Sequence, residues 1–368
     1  HSRSYGGDYS VLHAECDLWP LPDRVVDELM VKPMDWFAAE HANLVTAVEL
    51  AAQLGQPDVC WDLAITSATL FEARGYTDSW AQTHSIALEA CRASGNRLGE
   101  AVMWYSSGEL ALFEDRHADA ETDYAAALEY FNQVNDRHGR GLTLRSLALI
   151  DRIQGRLDTA MSRYDEALRD LSAVGDRIGE VHVLEGMAQV HLDRGEHDNA
   201  GRRLSEALDI CLAIGATRPE AQVRHRLGYL HLAQKRYSEA EHEFSAVRSA
   251  TALIGDPVGT TYAQLGMGLV HLARDEWASA DSALREAKAV ADSSGDRLSL
   301  GRVLLAQAEV AIQAGDLAVT AELVGEARAV FDDAQAALWL ERTDQLETRL
   351  RAAEQRAGPT IRRIVDRE

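Results

Sequence analysis

The chain has 368 residues, 46% of them hydrophobic and 26% charged, with 59 acidic against 37 basic side chains and a net charge of −22. So apolar a composition excludes wholesale disorder, and so acidic a surface repels phosphate backbones, which argues against direct nucleic-acid binding by this segment. No apolar run reaches the roughly 18 residues that cross a bilayer as a helix, so no membrane association is expected and the expected location is cytoplasmic.

In chain order, residues 1–33 carry Gly6, Gly7, Pro20, Pro22 and Pro33 and read as a partly disordered connector with one short helix at 23–30. The start, His1-Ser2-Arg3-Ser4-Tyr5-Gly6-Gly7, has neither an initiator Met nor the apolar core of a signal peptide, so the expectation is a piece of something longer. Residues 34–57 hold one apolar helix, from Met34-Asp35-Trp36-Phe37 to Leu54. Ala47 stands 40 positions before Ala87, which makes this segment the second helix of an incomplete leading unit.

Residues 58–334 repeat with a period of 40 and no insertion or deletion. One column reads Trp80, Ala120, Ala160, Ala200, Ala240, Ala280, Thr320; a second reads Ala87, Ala127, Ala167, Ala207, Val247, Ala287, Ala327. A third is Ala68, Gly108, Ala148, Ala188, Gly228, Gly268, Ala308. Small residues recur where two helix axes come within about 8 Å. Large ones at helical spacing, Tyr124, Tyr164, Leu204, Phe244, Leu284 and Val324, fill the gap between one helix pair and the next.

Turn residues punctuate the same ruler. Gly75, Gly155, Gly195 and Gly315 mark the turn inside a pair, with Asp115, Lys235 and Asp275 in place of glycine. Between pairs come turns such as Gly95-Asn96-Arg97, Gly175-Asp176-Arg177 and Gly295-Asp296-Arg297, where Gly ends one helix and Asn or Asp caps the next. These signals predict helices of about 15 residues joined by turns of roughly 3–5, seven pairs in all. Residues 335–357 form a charged capping helix with Trp339, Leu346 and Leu350 on one face. Gly358-Pro359 is expected to stop it, leaving 358–368 as a flexible tail.

Catalytic motifs are missing. The sequence has no GxxxxGK[ST], GxSxG, HExxH or GxGxxG, and none of its three lysines (Lys32, Lys235, Lys288) follows a glycine. The expectation is a non-enzyme with no catalytic residue, no cofactor and no metal. His191, His231 and His271 share one column, but equivalent residues on successive repeats stand about 8–10 Å apart and do not converge on one ion; packing between neighbouring first helices is their expected role. Cys16, Cys60, Cys91 and Cys211 lie far apart with no CxxC pair and read as reduced core residues.

The small-residue columns at Gly108, Ala120 and Ala127, with Trp104, Ala111 and Tyr124 between them, resemble the tetratricopeptide consensus, lengthened from its usual period to 40. The resemblance implies an all-α, right-handed superhelical solenoid of tetratricopeptide-like helix hairpins with a C-terminal capping helix. The segment Trp36-x₃-Glu40-x₂-Asn43-Leu44 resembles the first helix after the ATPase and winged-helix modules of STAND-type transcription regulators, which include large actinobacterial antibiotic regulatory proteins. Gly175-Asp176-Arg177-Ile178-Gly179-Glu180 is similar to turns in large bacterial signalling proteins, and the scarcity of lysine resembles actinobacterial coding.

In such arrays the first helices line the concave side and offer side chains to an extended peptide or helix. Carried over by position, that face comprises Tyr105, Glu109, Arg145, Leu149, Arg152, Glu185, Gln189, His225, Arg226, Tyr229, Tyr262, Leu265 and Leu269. Tyr, Leu and Arg are the residue types of interface anchors. Arg145, Arg152, His182, Arg224, His225 and Arg226 make the central stretch locally basic, suited to an acidic peptide, a partner protein or a small anionic ligand. The resemblance therefore implies a sensor or interaction array of a larger bacterial transcriptional regulator, with an adjacent ATPase or DNA-binding module in cis as one partner. The alternative is a freestanding scaffold that joins other proteins.

Overall fold

The computed structural model of the chain describes residues 12–14, 21–29, 31, 33–334 and 336–365. Every regular element among them is an α-helix, and no strand occurs among the described residues. The chain divides into two units, His1–Ile214 and Gly215–Glu368.

The first unit begins with α1 (Asp23–Leu29), α2 (Pro33–Ala39) and α3 (His41–Gln53). Four hairpins follow: α4 (Pro57–Arg74) with α5 (Thr77–Ser94), α6 (Arg97–Phe113) with α7 (His117–Val134), α8 (Arg137–Ile153) with α9 (Leu157–Val174), and α10 (Arg177–Asp193) with α11 (His197–Ile214). The second unit has three hairpins, α12 (Thr217–Ala233) with α13 (Tyr237–Ile254), α14 (Pro257–Ala273) with α15 (Trp277–Ser294), and α16 (Arg297–Ala314) with α17 (Leu317–Asp333). It ends with α18 (Ala337–Val365).

Helices of the hairpins run 17 or 18 residues, longer than the sequence signals imply, and the turns shrink to match. Between α4 and α5 only Gly75 and Tyr76 remain outside. Gly75 takes a left-handed φ of 67°, and Tyr76 N donates 2.8 Å back to Phe71 O, so one residue closes a helix and the next already begins the other. Asp115, Lys235 and Asp275 adopt φ of 59–61° at the equivalent turn, a conformation that costs non-glycine residues about 1 kcal/mol. At the turns between pairs the Asx cap operates as expected: Asp176 accepts from Gly179 N at 2.8 Å and Asp256 from Gly259 N at 3.0 Å.

The small-residue column lies against the large-residue column of its own hairpin. A methyl added at Gly108 would sit 2.6 Å from the Tyr124 ring, one at Gly228 2.7 Å from Phe244, and one at Gly268 2.6 Å from Leu284. Tyr124, Leu204, Phe244 and Leu284 are fully buried, each filling the notch that its small partner leaves. Trp80 plays this part in the first hairpin, packed with Ala68, Leu70, Phe71 and Leu110 while its indole Nε1 donates to Ser106 Oγ at 3.2 Å.

Three expectations change at the ends. The helix predicted across 34–54 is two, broken at Glu40, whose backbone (φ −89°, ψ 2°) leaves the regular path while its carboxylate takes a hydrogen bond from Asn43. Phe37, Leu44 and Val45 all pack on the Trp80 cluster. Within the 1–33 connector, Leu12 is buried and Ala14 N donates to Asp62 Oδ1 at 2.9 Å, so residues 12–14 dock on α4; the rest of 1–20 lies outside the described residues. At the other end α18 passes through Gly358-Pro359 to Val365; a proline removes one helical N–H and bends a helix without always ending it. The tail expected over 358–368 is thus helical to 365, and 366–368 lie outside the described residues.

Candidate functional site

In the first unit the face predicted from sequence is largely spent on itself. Tyr105 is 4% exposed, its ring 5.9 Å from Tyr124, and Glu185 is 7% exposed beside His182 at 3.3 Å. Glu109 accepts from Tyr124 Oη at 2.5 Å and from Ser146 Oγ of the next first helix at 2.9 Å. Burial, followed by the nearby Glu109 charge, pushes the Tyr124 phenol well above its ordinary value, so it stays a donor. Arg152 reaches across to Asp193 at 3.1 Å, and Gln189 donates to the same carboxylate at 3.0 Å. Arg145 is half-buried, and burial of the neighbouring Asp176 is outweighed by His138, Gly179 N and the Arg145 charge, which together hold that carboxyl low. Leu149 is half-buried.

The locally basic stretch expected from sequence is in part offset by acids. Arg152 and His182 face Asp193 and Glu185, and Arg224 in the second unit bonds Glu220 at 2.7 Å and Glu243 at 2.9 Å. In a chain with so many carboxylates, acids one turn or one repeat away offset three of the six, Arg152, His182 and Arg224. Asp151 shows the extreme: fully buried, it takes Arg156 at 2.6 Å and Arg163 at 2.8 Å.

The second unit differs. His225, Tyr229 and Tyr262 come together with the core residue Phe244: His225 lies 4.8 Å from the Tyr229 ring and 5.3 Å from that of Tyr262, and Tyr229 lies edge-on to Phe244 at 5.3 Å. Three residues outside the predicted set complete the group. Arg302 of α16 has its guanidinium carbon 4.9 Å from the Tyr262 ring centroid and 5.0 Å from that of Trp339 in α18, and Arg342 sits 4.5 Å from the Trp339 centroid. Arg302 Nη2 donates to Tyr229 Oη at a long 3.4 Å. Arg302 Nε and His225 Nε2 are buried with no hydrogen-bond partner among the described residues. Burial foremost, then the charges of Arg302 and Arg226, push the His225 imidazole down to about 4, so it is neutral at physiological pH.

Leu265 is 2% exposed and belongs to the core with Leu284, Ala287 and Val303, which removes it from any open face; Leu269 packs half-buried on that cluster. Arg226 is exposed. The missed residues carried a readable signal, because Tyr262, Arg302 and Arg342 stand in one column of the 40-residue ruler. The face predicted from sequence ends at Leu269, one repeat short of Arg302.

The histidine column serves the turns, not the gaps between first helices. His191 Nδ1 meets Glu196 at 2.7 Å and His271 Nδ1 meets Glu276 at 2.6 Å, each bracketing its own hairpin turn. At the third site Arg236 stands where the glutamate would be, and His231 Nδ1 has no partner. No group of His, Cys, Asp and Glu suited to a metal ion occurs among the described residues. Cys60, Cys91 and Cys211 are buried. No described helix is long and apolar enough to cross a membrane.

Residues 180–248 match the family model for the tetratricopeptide repeat. No curated protein matches the chain in sequence. Among solved structures, a STAND (signal transduction ATPase with numerous domains) protein with a tetratricopeptide repeat sensor from Pyrococcus horikoshii aligns with a TM-score of 0.64 at 11% identity, over 92% of this chain and 54% of that one. A Rap protein complexed with competence and sporulation factor aligns with a TM-score of 0.55 at 15% identity, over 88% and 99%. The quorum sensor NprR from B. thuringiensis gives 0.53 at 11%, over 89% and 99%. The hairpins are of the tetratricopeptide type, and the likeness to these proteins is one of fold.

Proposed function

We propose that this array of tetratricopeptide-type hairpins is a recognition module, the sensing arm of a larger signalling protein, and that its second unit receives a protein, peptide or small ligand on the face of α12, α14 and α16. The observation that carries the reading is the cluster of His225, Tyr229, Tyr262 and Arg302, where large anchoring side chains gather while Arg302 Nε and His225 Nε2 have no partner among the described residues. Packing alone does not reward unpaired polar groups, each of which costs about 1–3 kcal/mol when left unsatisfied. Tyr and Arg are the residues through which interfaces concentrate binding energy.

The sensor reading draws on the STAND protein that the chain resembles in fold, whose tetratricopeptide repeats are a sensor; a partner would bias the array between states and so bias a neighbouring ATPase. A transcriptional role for the assembly extends the same reading. The test uses the product of the whole reading frame. Its partner, recovered by affinity capture and identified, should bind Tyr262→Ala and Arg302→Gln variants at least about tenfold more weakly, a loss of about 1.4 kcal/mol, with helix content by circular dichroism unchanged. Equal binding by both variants, at unchanged helix content, refutes the assignment of this face.

A further inference from the structure

We infer that the second unit holds an anion-binding site in which Arg302 and Arg342, set against Trp339, take the carboxylate or phosphate of a ligand. The inference rests on the reading that this face receives a ligand, and it names the chemistry of that ligand.

The electrostatics come first. Two guanidiniums lie against one indole, with centroid distances of 5.0 and 4.5 Å, and among the described residues no carboxylate pairs with either. Elsewhere in the unit the pattern is the reverse: Arg274 reaches Glu241 at 2.6 Å, Arg349 reaches Glu309 at 2.5 Å, and Arg328 bonds both Asp344 and Glu347. With 59 acids to 37 bases available, a pair of cations at one ring without an acid is a charge that the protein itself leaves open. Two like charges held near each other raise each other's energy, and an anion between them reverses the sign of that term.

Hydrogen bonding points the same way. A guanidinium has five N–H donors in a planar fork and no acceptor. The Tyr262 and Trp339 rings lie against Arg302, yet its described acceptors amount to Tyr229 Oη at 3.4 Å. Arg302 is half-buried and Arg342 exposed, so a ligand has access to the site from solvent. Carboxylate and phosphate oxygens match the fork in geometry, two parallel bonds at a time. The Tyr262 and Trp339 rings hold the two guanidiniums, and His225, neutral because it is buried, adds no competing charge.

The test uses the full chain labelled with ¹⁵N-arginine, with the Arg302 Nε–Hε signal assigned by its loss in Arg302→Lys. Benzoate, phenyl phosphate and the uncharged benzamide are titrated at constant chloride. The expected result is a saturable shift of the Arg302 signal with at least one anion and none with benzamide, and affinity about tenfold weaker in Arg342→Gln at unchanged helix content. A response to benzoate alone identifies a carboxylate ligand, and one to phenyl phosphate alone a phosphate; either supports the site. No saturable shift with either anion, a benzamide response equal to theirs, or undiminished affinity in Arg342→Gln overturns it. Such a failure removes only the anion assignment if Tyr262→Ala still weakens partner capture, whereas capture indifferent to Tyr262→Ala and Arg302→Gln refutes the wider reading whatever the probes do.

Discussion

Gly139→Ala isolates the close approach on which each hairpin junction depends. A Cβ at Gly139 would lie within 3.0 Å of three atoms of the Phe131 ring, a distance real Cβ atoms essentially never show. Phe131 is fully buried, so its ring cannot swing into solvent to make room. Overpacking of this kind costs about 1–3 kcal/mol, against a helix-propensity gain of at most about 1 kcal/mol for replacing glycine by alanine. The net expectation is a loss of about 1–2 kcal/mol, which for a unit of this size lowers Tm by roughly 2–8 °C. Gly325, inside α17, is the control, since nothing lies within 4 Å of an added methyl there. Gly325→Ala should therefore raise Tm by up to about 4 °C. Differential scanning calorimetry reads both changes, and Phe131→Leu in the Gly139→Ala background should recover part of the loss as a coupling of about 1 kcal/mol. A Gly139→Ala protein as stable as the parent would refute the steric argument.

Two further perturbations address polar groups. His84 is buried, and burial pushes its imidazole from 6.5 down to about 3, with Nε2 left unpartnered. The unfolded chain thus takes up a proton between those values that the folded chain refuses, so stability is complete above pH 6.5 and falls as pH drops through the window toward 3. At pH 4.5 the loss from this residue is roughly 2–3 kcal/mol, and His84→Phe should flatten that part of the urea-unfolding profile while leaving stability at pH 7 equal or higher; an unchanged slope would sink the assignment. Asp176 caps α10 and also accepts from His138 Nε2 at 3.1 Å, whereas Asp316 caps α17 through Val319 N alone. Asp176→Ala should cost about 1–2 kcal/mol and Asp316→Ala about half of that, an order that chemical denaturation followed at 222 nm can check.

The described hairpins were legible in the residues because a strict period of 40 puts small, large and left-handed positions in columns that chain connectivity alone must satisfy. Asp115, Lys235 and Asp275 were placed at left-handed turns against their own preference, on the strength of that column. Breaks in the pattern were less readable. Nothing in the periodicity of 34–54 marks Glu40 as the point where one helix becomes two: Phe37, Leu44 and Val45, at i, i+7 and i+8, keep one helical face across it, and all pack on the Trp80 cluster.

The candidate site divides in the same way. Composition and period determined that the chain folds as helix pairs, which residues enter the core columns, and that Tyr229 and Tyr262 share a face with His225. Only the tertiary structure decided which charges remain open on that face. Arg152 finds Asp193 41 positions away and is neutralised; Arg302 meets Tyr229 73 positions away, and Trp339 beyond it, and among the described residues no acid. Periodicity governs backbone placement through local steric rules, but the pairing of a half-buried guanidinium depends on rotamers and on neighbours one or two repeats away, which no local pattern encodes.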